Sequence, residues 1–416
     1  MRLARWSFLV LLFMLTTVAP VNGVDPSSGS PREREGGSWI QLFDGETLFG
    51  WNAVGESKWD LFEGMLYPEK GNKSKLVTTT AFANYDLEIE YRSQGSSRGS
   101  GSGSYDPKTA ILIGCDKDGN KITGTRVKGL NGFGSGWTTM HIGVRDGRVT
   151  NTSYEDESGR GSGYSEGSGS PFYSGEPPPA RAGHIAIQGE HLVIRTIKLR
   201  PAKGKEIFNG KDLTGWKEIS GKKSKFSVND EGFLSIKDGP GDIQTEDQWS
   251  DFVLQLDCRC NGDNNNSGVF FRSLPGQFWQ GYESQIFNKN DEAKPQEYTL
   301  EDFDPKTHES TGKRKVKYAA LDYGTGGIYN RQPARKQAAK DHEWFTMTVV
   351  AQGRHIGVWV NGYMVTDWTD NRPDKESARD GCRLAKGCIS LQGHDPTTDL
   401  NFRNIRISEL PAVPEK

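Results

Sequence analysis

A glutamate and an amide two residues apart are the first pair in this sequence whose types and spacing suit chemistry. The segment GYESQIFN places Glu283 and Gln285 at alternate positions. On a β-strand both side chains would project from one face. A carboxylate can act as a general base, and amides hydrogen-bond hydroxyl groups. The pair indicates a face that contacts a sugar, although an ordinary solvated strand face has the same pattern.

A cation and a further amide occur in the segment NNNSGVFFRS, residues 264–273. Strand alternation places Asn266 and Arg272 on the same face. A guanidinium can neutralise an enolate or bind a carbonyl oxygen, so Arg272 is a candidate electrostatic partner for a base. A surface ion pair at the end of a strand is the alternative interpretation.

A histidine and an aspartate open a polar loop after another predicted strand, in the segment LQGHDPTTD. Histidine transfers protons near neutral pH and is a common metal ligand, so His394 is a candidate base. Glu283 and His394 together are also candidate ligands of a divalent cation. Asp395 is expected to contact substrate, or else to cap the turn.

Aromatic residues near these segments offer flat faces for sugar rings. Trp279, Tyr282 and Tyr329 are the candidate stacking residues, and core packing is the alternative for each. An ordinary retaining glycosidase needs a second carboxylate close to the first. The strand positions after Glu283 supply none, which argues against that class.

The elements that must position these residues occur twice in the chain. The block WIQLFDGETLFGW, ending at Trp51, matches GKEIFNGKDLTGW, ending at Trp216, and three more blocks recur in the same order. The repeat predicts two tandem domains, at 38–200 and 203–411. Alternating apolar and polar residues with glycine-rich turns predict an all-β protein built of β-sandwiches.

The two copies differ in length where the candidate residues lie. There are 44 residues between Arg92 and Trp137 of the first copy, against 84 between Arg259 and Trp344 of the second. The segments NSGVFFR and GYESQI have no counterpart in the first copy. The second domain is therefore the expected place of an active site.

Composition and the N-terminus indicate an exported protein without a nucleic-acid partner. Residues 1–23 combine Arg2 and Arg5 with an apolar run and small residues, which predicts a cleaved signal peptide and a secreted or periplasmic protein. The run is too short to span a membrane comfortably, so no membrane span is expected. A net charge of -2 provides no basic surface for nucleic acid. Cys382 and Cys388 are spaced to close a small disulfide loop, but sequence cannot fix the pairing.

Taken together, several segments resemble the DUF1080 family, also called the 3-keto-disaccharide hydrolase domain, and particularly its secreted planctomycete forms. The segments are FNGKDLTGW, NNNSGVFFRS, GYESQIFN, TGGIYNRQPAR and LQGHDPTTDLNFRNIRI. The resemblance covers nearly all of 205–409, and the first domain resembles a divergent copy. It implies two concanavalin-like jelly-roll sandwiches.

The resemblance also implies cleavage of glycosides that are oxidised to a ketone at sugar C3. The matched positions are Asn266, Arg272, Glu283, Gln285 and His394. Either Glu283 or His394 would remove the C2 proton, with Arg272 as the electrostatic partner, before elimination and hydration. A divalent metal is a possible cofactor. A separate oxidoreductase that makes the ketone is the implied partner of the glycoside substrate.

Other functions fit parts of the same pattern. Tandem sandwiches with stacking aromatic residues also suit a non-catalytic, lectin-like carbohydrate-binding protein. A structural or adhesion module is the least specific alternative.

Overall fold

The structure is a computed structural model, and it describes residues 37–411 apart from 56–57, 69–74, 94–108, 120–124, 129–135, 165–180 and 190–191. The predicted signal peptide at 1–23 lies outside the described residues and stays a prediction. Every helix-or-strand element in the described part of the chain is a β-strand, which confirms the all-β prediction. The described residues contain no helix that could cross a membrane.

In the described residues, the first sandwich is built of thirteen strands. They are β1 (Ile40–Phe43), β2 (Trp51–Val54), β3 (Trp59–Phe62), β4 (Met65–Pro68), β5 (Lys75–Thr78), β6 (Tyr85–Ser93), β7 (Ala110–Cys115), β8 (Arg126–Lys128), β9 (Thr138–Arg145), β10 (Arg148–Asp156), β11 (Gly161–Tyr164), β12 (His184–Gln188) and β13 (Leu192–Pro201). One sheet has the order β11-β10-β9-β6-β13-β4-β3, with β1 also on β13, and the facing sheet has the order β2-β5-β12-β7-β8.

The second sandwich repeats this plan with fifteen strands. They are β14 (Lys205–Glu206), β15 (Trp216–Glu218), β16 (Lys225–Val228), β17 (Leu234–Lys237), β18 (Gly241–Thr245), β19 (Phe252–Cys260), β20 (Ser267–Ser273), β21 (Tyr282–Ile286), β22 (Gln296–Phe303), β23 (Ser310–Tyr318), β24 (Phe345–Gln352), β25 (His355–Val360), β26 (Tyr363–Thr369), β27 (Cys388–Gly393) and β28 (Asp399–Glu409). Its sheets run β16-β17-β28-β19-β24-β25-β26, with β14 on β28, and β15-β18-β27-β20-β21.

The strand order of the two sandwiches corresponds one for one, so both copies are jelly-roll sandwiches of the predicted kind. The exception is the hairpin β22–β23, which lies in the extra length of the second copy. Alternation explains the strands: along β6, Leu87 and Ile89 are buried, while Glu88 and Glu90 point to the other face.

The two sandwiches share part of one hydrophobic core. Five buried side chains of the second sandwich belong to the core cluster of the first: Val253, Val350, Trp359, Met364 and Leu410. The ring of Trp359 lies 6.2 Å from that of Phe82, and its indole N–H donates to the carbonyl of Gln41 at 3.1 Å. The sandwiches are therefore packed against each other by apolar side chains.

The cysteines contribute to packing and not to crosslinks. All five are buried and free. The loop between Cys382 and Cys388 is thus not closed by a disulfide.

Candidate active site

A cavity of about 210 Å³ opens on the outer face of the five-stranded sheet of the second sandwich. Its lining residues are Asn266, Phe278, Trp279, Glu283, Gln285, Tyr329, Gln392 and His394. Six of these eight were expected from the sequence. The lining residues lie on β21 and β27, in the segments on either side of β20, directly after β27, and in the segment that contains Tyr329. The structure therefore brings Glu283 and His394 to one cavity.

Strand alternation and a glycine place the Glu283 side chain. Ile286 and Val269 point into the core from β21 and β20, so Glu283 and Gln285 point outward. Gly268 lies beside Glu283, and a Cβ on Gly268 would lie 2.7 Å from the Glu283 Cγ. The carboxylate occupies space that a larger residue at position 268 would fill.

Burial makes Glu283 a base suited to neutral pH. The side chain is only 3 % exposed, and the Arg379 guanidinium donates to its Oε2 at 2.7 Å. Burial raises the pKa of Glu283 to about 7, against the lowering effect of Arg379 and His394, and Asp242 adds to the rise. A carboxylate with a pKa in this range can both take and return a proton near pH 7.

Arg379 was not expected from the sequence, and it connects the base to the aromatic wall. Its guanidinium lies 4.1 Å from the ring centroid of Trp279 and 5.9 Å from that of Tyr329. Its Nε donates to the Trp279 carbonyl at 3.2 Å. One cation thus holds both the carboxylate and the wall that a sugar ring would contact.

A second acid lies behind the cavity wall. Asp242 on β18 is almost fully buried, and burial raises its pKa to about 6. It accepts the backbone N–H of Trp279 at 2.9 Å and is not among the cavity-lining residues. The sheet thus holds a second acid on another strand, although the positions after Glu283 on β21 hold none, and Glu283 is the one acid among the described residues that line the cavity.

Two residues that line the cavity have a buried amide oxygen without a hydrogen-bond partner. Within the described residues, Gln285 Oε1 and Gln392 Oε1 are buried and accept no hydrogen bond. The Gln285 amide nitrogen donates to Asp322 Oδ2 at 2.9 Å, and so does that of Asn266. Asp322 therefore orients both side chains. A buried acceptor without a donor is costly, and a ligand hydroxyl would satisfy it.

His394 is oriented by Asp395. The His394 Nδ1 donates to Asp395 Oδ2 at 2.9 Å, because a carboxylate can only accept. This bond leaves Nε2 as the free nitrogen. Asp395 contacts the histidine and two threonine groups of its own turn and does not line the cavity. The structure therefore places Asp395 beside His394 and outside the lining residues, and its direct contact with substrate stays a prediction.

The prediction for Arg272 is wrong for a geometrical reason. Arg272 is fully buried, donates to the carbonyls of Ser250, Gly353 and Arg383, and pairs with Asp251 at 2.9 Å. Its φ of 51° coincides with a register shift on β20. This bulge breaks the alternation and turns the side chain away from the cavity.

Tyr282 is also not a stacking residue of the cavity. It lies on the core side of β21, 3 % exposed, with its ring stacked 5.4 Å from that of Phe271. Its hydroxyl donates to Asp370 at 2.7 Å. The alternative of core packing is the one found for this residue.

The donors do not make a complete protein site for a metal ion. The described residues contain no group of three or more His, Cys, Asp or Glu placed to hold one. Glu283 and His394 supply two donors, and the carboxylate is already bonded to Arg379. This donor set does not fit the metal site that was predicted on the pair.

The first sandwich carries opposite charge at the matching positions. The pairing of β7 with β8 and β12 places Arg126 where the second sandwich has Glu283, and the pairing of β5 with β12 places Lys75 where it has Asp242. Ala110 stands at the position of Gly268. The Arg126 guanidinium donates to Gln188 at 3.2 Å. The buried carboxylate of the second copy thus has a cation as its counterpart in the first.

Comparison with known families agrees with this architecture. A sequence model of the 3-keto-alpha-glucoside-1,2-lyase-like domain matches residues 38–200 and 203–408. The chain belongs to this family. The match to two segments confirms the tandem copies, and membership in the 3-keto-alpha-glucoside-1,2-lyase-like family supports a carbohydrate-active role with a sugar as the substrate or ligand.

Solved structures with similarity to the chain include single-copy proteins. A putative glycosyl hydrolase from Parabacteroides distasonis ATCC 8503 is 26% identical and covers 50% of this chain and 100% of its own, with a TM-score of 0.36. The carbohydrate-binding module CBM66 from Bacillus subtilis is 16% identical and covers 47% of this chain and 97% of its own, with a TM-score of 0.30. No match was found among curated proteins.

Proposed function

We propose that this protein is an exported enzyme that cleaves the glycosidic bond of 3-keto-glycosides, and that the second sandwich carries the activity. The observation that carries the proposal is Glu283, a buried base with a raised pKa beside a cation, in a cavity that also holds unpaired amide oxygens. A ketone at C3 acidifies the hydrogen at C2, so one such base suffices to start the reaction.

The charges of the site suit proton removal to an enolate. Glu283 takes the C2 proton and becomes neutral, and the negative charge passes to the enolate oxygen. Arg379, 2.7 Å from the carboxylate, then faces the new anion in place of the old one. The total charge near the guanidinium is unchanged, which keeps the cost of charge movement in a buried site low.

The leaving group needs a proton as the bond to C1 breaks. His394 lines the same cavity and donates from Nδ1 to Asp395, so when both ring nitrogens carry a proton its Nε2–H is the donor that we assign to the leaving oxygen. The enolate electrons form the C1–C2 double bond as this oxygen departs. Water then adds at C1 and gives its proton back to His394 Nε2, and Glu283 returns its proton to C2.

The size and lining of the cavity suit one sugar ring. Trp279, Phe278 and Tyr329 supply apolar faces, and Gln285, Gln392 and Asn266 supply groups for hydroxyls. A volume of about 210 Å³ lies below the range of roughly 300–1,000 Å³ that encloses drug-sized ligands. We infer that the oxidised ring enters the cavity while the leaving group stays outside.

The decisive experiment compares a 3-keto-glucoside with the unmodified glucoside on the purified protein, with and without a chelator. Release of the leaving group from the keto substrate alone supports the proposal, and Glu283→Gln should abolish it in a folded protein. Loss of activity in the chelator would show that a metal completes the site. Cleavage of the unmodified glucoside would instead show an ordinary glycosidase.

A carbohydrate-binding role without catalysis is the second candidate. The same unpaired amide oxygens and aromatic faces would bind a sugar whether or not it reacts. Calorimetric binding of the keto-glucoside without any product over hours would favour this role. The enzyme reading further requires export through residues 1–23 and a separate oxidoreductase that supplies the ketone, and both are parts of the proposal.

A further inference from the structure

The irregular segment at residues 321–335, here called the Tyr329 loop, forms one side of the active site. Its backbone lies against β21: the N–H of Gly326 donates to the Gln285 carbonyl at 2.8 Å, and that of Tyr329 to the Glu283 carbonyl at 3.0 Å. Asp322 near its start orients the Gln285 and Asn266 amides. The geometry of the base and of both amides therefore depends on where this loop lies.

The conformation of the loop requires outside support. Asp322, Tyr323 and Asn330 have φ values of 47°, 67° and 58°. Such left-handed conformations are unfavourable for residues with a side chain, and they persist where surrounding contacts fix them. The anchors of the loop are therefore part of the site.

Arg335 is the anchor at the end of the loop. Its backbone N–H donates to the Val365 carbonyl at 2.9 Å, and its Nε donates to the Met364 carbonyl at 2.8 Å. Its Nη2 reaches the first sandwich and donates to Asp44 at 2.6 Å, with the Asp44 side chain only 6 % exposed. The guanidinium also lies 4.5 Å from the ring centroid of Phe49.

Residues 44–50 of the first sandwich, here called the clamp turn, make further contacts beside Arg335. Glu46 pairs with Lys336 at 3.2 Å and accepts the Tyr363 hydroxyl at 2.6 Å. A Cβ on Gly50 would lie 2.6 Å from the Met364 sulfur, so the two chains are in close contact there. Acidic and aromatic groups of one sandwich thus surround the anchor of the other.

The second sandwich contains the same turn without these contacts. In the matching segment, FNGKDLTGW, Asn209 stands at the position of Asp44 and Lys211 at that of Glu46. Asn209 Oδ1 accepts the N–H of Lys211 at 2.8 Å, as Asp44 Oδ1 accepts that of Glu46 at 2.8 Å. The turn itself therefore forms with an amide, and the acids of the clamp turn are not needed to fold it.

We propose that the first sandwich is a positioning element of the active site in the second: its clamp turn holds Arg335 and thereby fixes the Tyr329 loop against Glu283. Asp44 is a positioning residue in this arrangement, since it acts on the site through Arg335. The kinetic test of this proposal rests on the proposed function. The hydrogen-exchange test does not, because it measures only the mobility of the loop.

The matched variant is Asp44→Asn, which keeps the turn, as Asn209 does, and removes the ion pair. In hydrogen exchange, the amides of residues 321–335 should exchange faster, while those of β19 and β24 stay protected. On a 3-keto-glucoside, kcat/KM should fall by about 10- to 100-fold, the size expected from a small misplacement. Asn209→Asp is the control, and it should change neither the amide exchange of residues 321–335 nor kcat/KM.

The pH profile separates positioning from general loss of stability. A looser loop admits water to Glu283, so the inflection of kcat/KM should move from about 7 towards the ordinary carboxyl range. Arg335→Lys keeps the charge but cannot contact the Met364 carbonyl and Asp44 at the same time. The inflection should therefore move in the same direction as in Asp44→Asn, but by less. Unchanged loop exchange, or faster exchange spread evenly over both sandwiches, would overturn the proposal. If the wild type leaves the keto substrate intact, the proposed function fails, while the exchange experiment still decides the clamp.

Discussion

The carboxylate of Glu283 lies 2.7 Å from the guanidinium of Arg379, and yet its pKa is raised to about 7 because burial outweighs the attraction of the cation. An exposed pair would have the opposite outcome, with a lowered carboxyl pKa. Burial is therefore the property that lets Glu283 act as a base at neutral pH.

The rate should rise with pH as Glu283 ionises. In the proposed reaction the ionised carboxylate removes the proton, so kcat/KM for a 3-keto-glucoside should rise tenfold per pH unit below an inflection at about pH 7. A pH–rate profile from pH 5 to 9 tests this. An inflection near 4.5 with no further change would exclude Glu283 as the buried base.

Folding stability should show the reverse dependence on pH. The folded state holds the Glu283 proton up to about pH 7, whereas the unfolded chain releases it near 4.5, so the folded state binds more protons in this window. Stability from this group is complete below pH 4.5 and is lost as pH rises through 7. Glu283→Gln should therefore raise the free energy of unfolding by up to about 3 kcal/mol at pH 8, relative to its effect at pH 4.5. Urea unfolding at the two pH values measures the difference, and equal effects at both would contradict it.

Removal of the Arg379 cation should raise the pKa of Glu283 further above the ordinary carboxyl range. Arg379 lowers the pKa of Glu283 through its charge and its hydrogen bond, so Arg379→Ala should shift the inflection of the pH–rate profile above 7. The variant should lose most activity at pH 7 and regain part of it at pH 9. Arg379→Lys keeps the charge and should shift the inflection less. An inflection that falls in the alanine variant would show that water entry dominates.

The glycine beside the base should not tolerate a side chain. A Cβ at position 268 would lie 2.7 Å from Glu283 Cγ and 2.8 Å from Oε1, so Gly268→Ala must displace the carboxylate. We expect kcat to fall at least tenfold with little change in unfolding temperature, a misplacement effect of modest size. Combining this change with Glu283→Gln should give no loss beyond that of Glu283→Gln alone. If the losses of the two single variants add in the double variant, Gly268 does not act through the position of the Glu283 carboxylate.

Arg272 should matter for stability and not for the reaction. Arg272→Met removes a buried cation from Asp251 and from three carbonyls, and breaking a buried pair of this kind costs about 3–5 kcal/mol. Denaturation should show this loss, while kcat per folded molecule stays close to that of the wild type. If Arg272→Met instead kept normal stability and lost its turnover, Arg272 would have a role in the reaction.

Strand alternation and the comparison of the two copies explain what the sequence could predict. Glu283 and Gln285 share a face because β21 is regular. The two copies both read Gln-Gly at the end of the matching strand, but Glu190 follows in the first copy where His394 follows in the second, which indicates a role for His394 in the second copy alone. The positions at 190 and 191 lie outside the described residues. The same reasoning, extended to β18, would have found Asp242, since it alternates with the buried Ile243.

The two arginines show where alternation fails. Regular alternation along β20 predicts that Arg272 shares the face of Asn266. The bulge, with a positive φ at Arg272, interrupts this alternation at that residue. Arg379 lies in an irregular segment 96 positions from Glu283, where no periodicity marks a face. Its role depends on a tertiary contact between two distant segments, and local patterns do not encode such contacts.

The core that the two sandwiches share determines whether one sandwich can exist without the other. A protein made of the second sandwich alone would present Trp359, Val350 and Met364 to water, and a continuous apolar patch of this kind promotes self-association. A stable single-copy protein of this fold would therefore need polar residues at these places, or another chain that covers them. The residues at positions 350, 359 and 364 thus provide a simple criterion, readable from an alignment, for whether a copy evolved to stand alone or beside a partner.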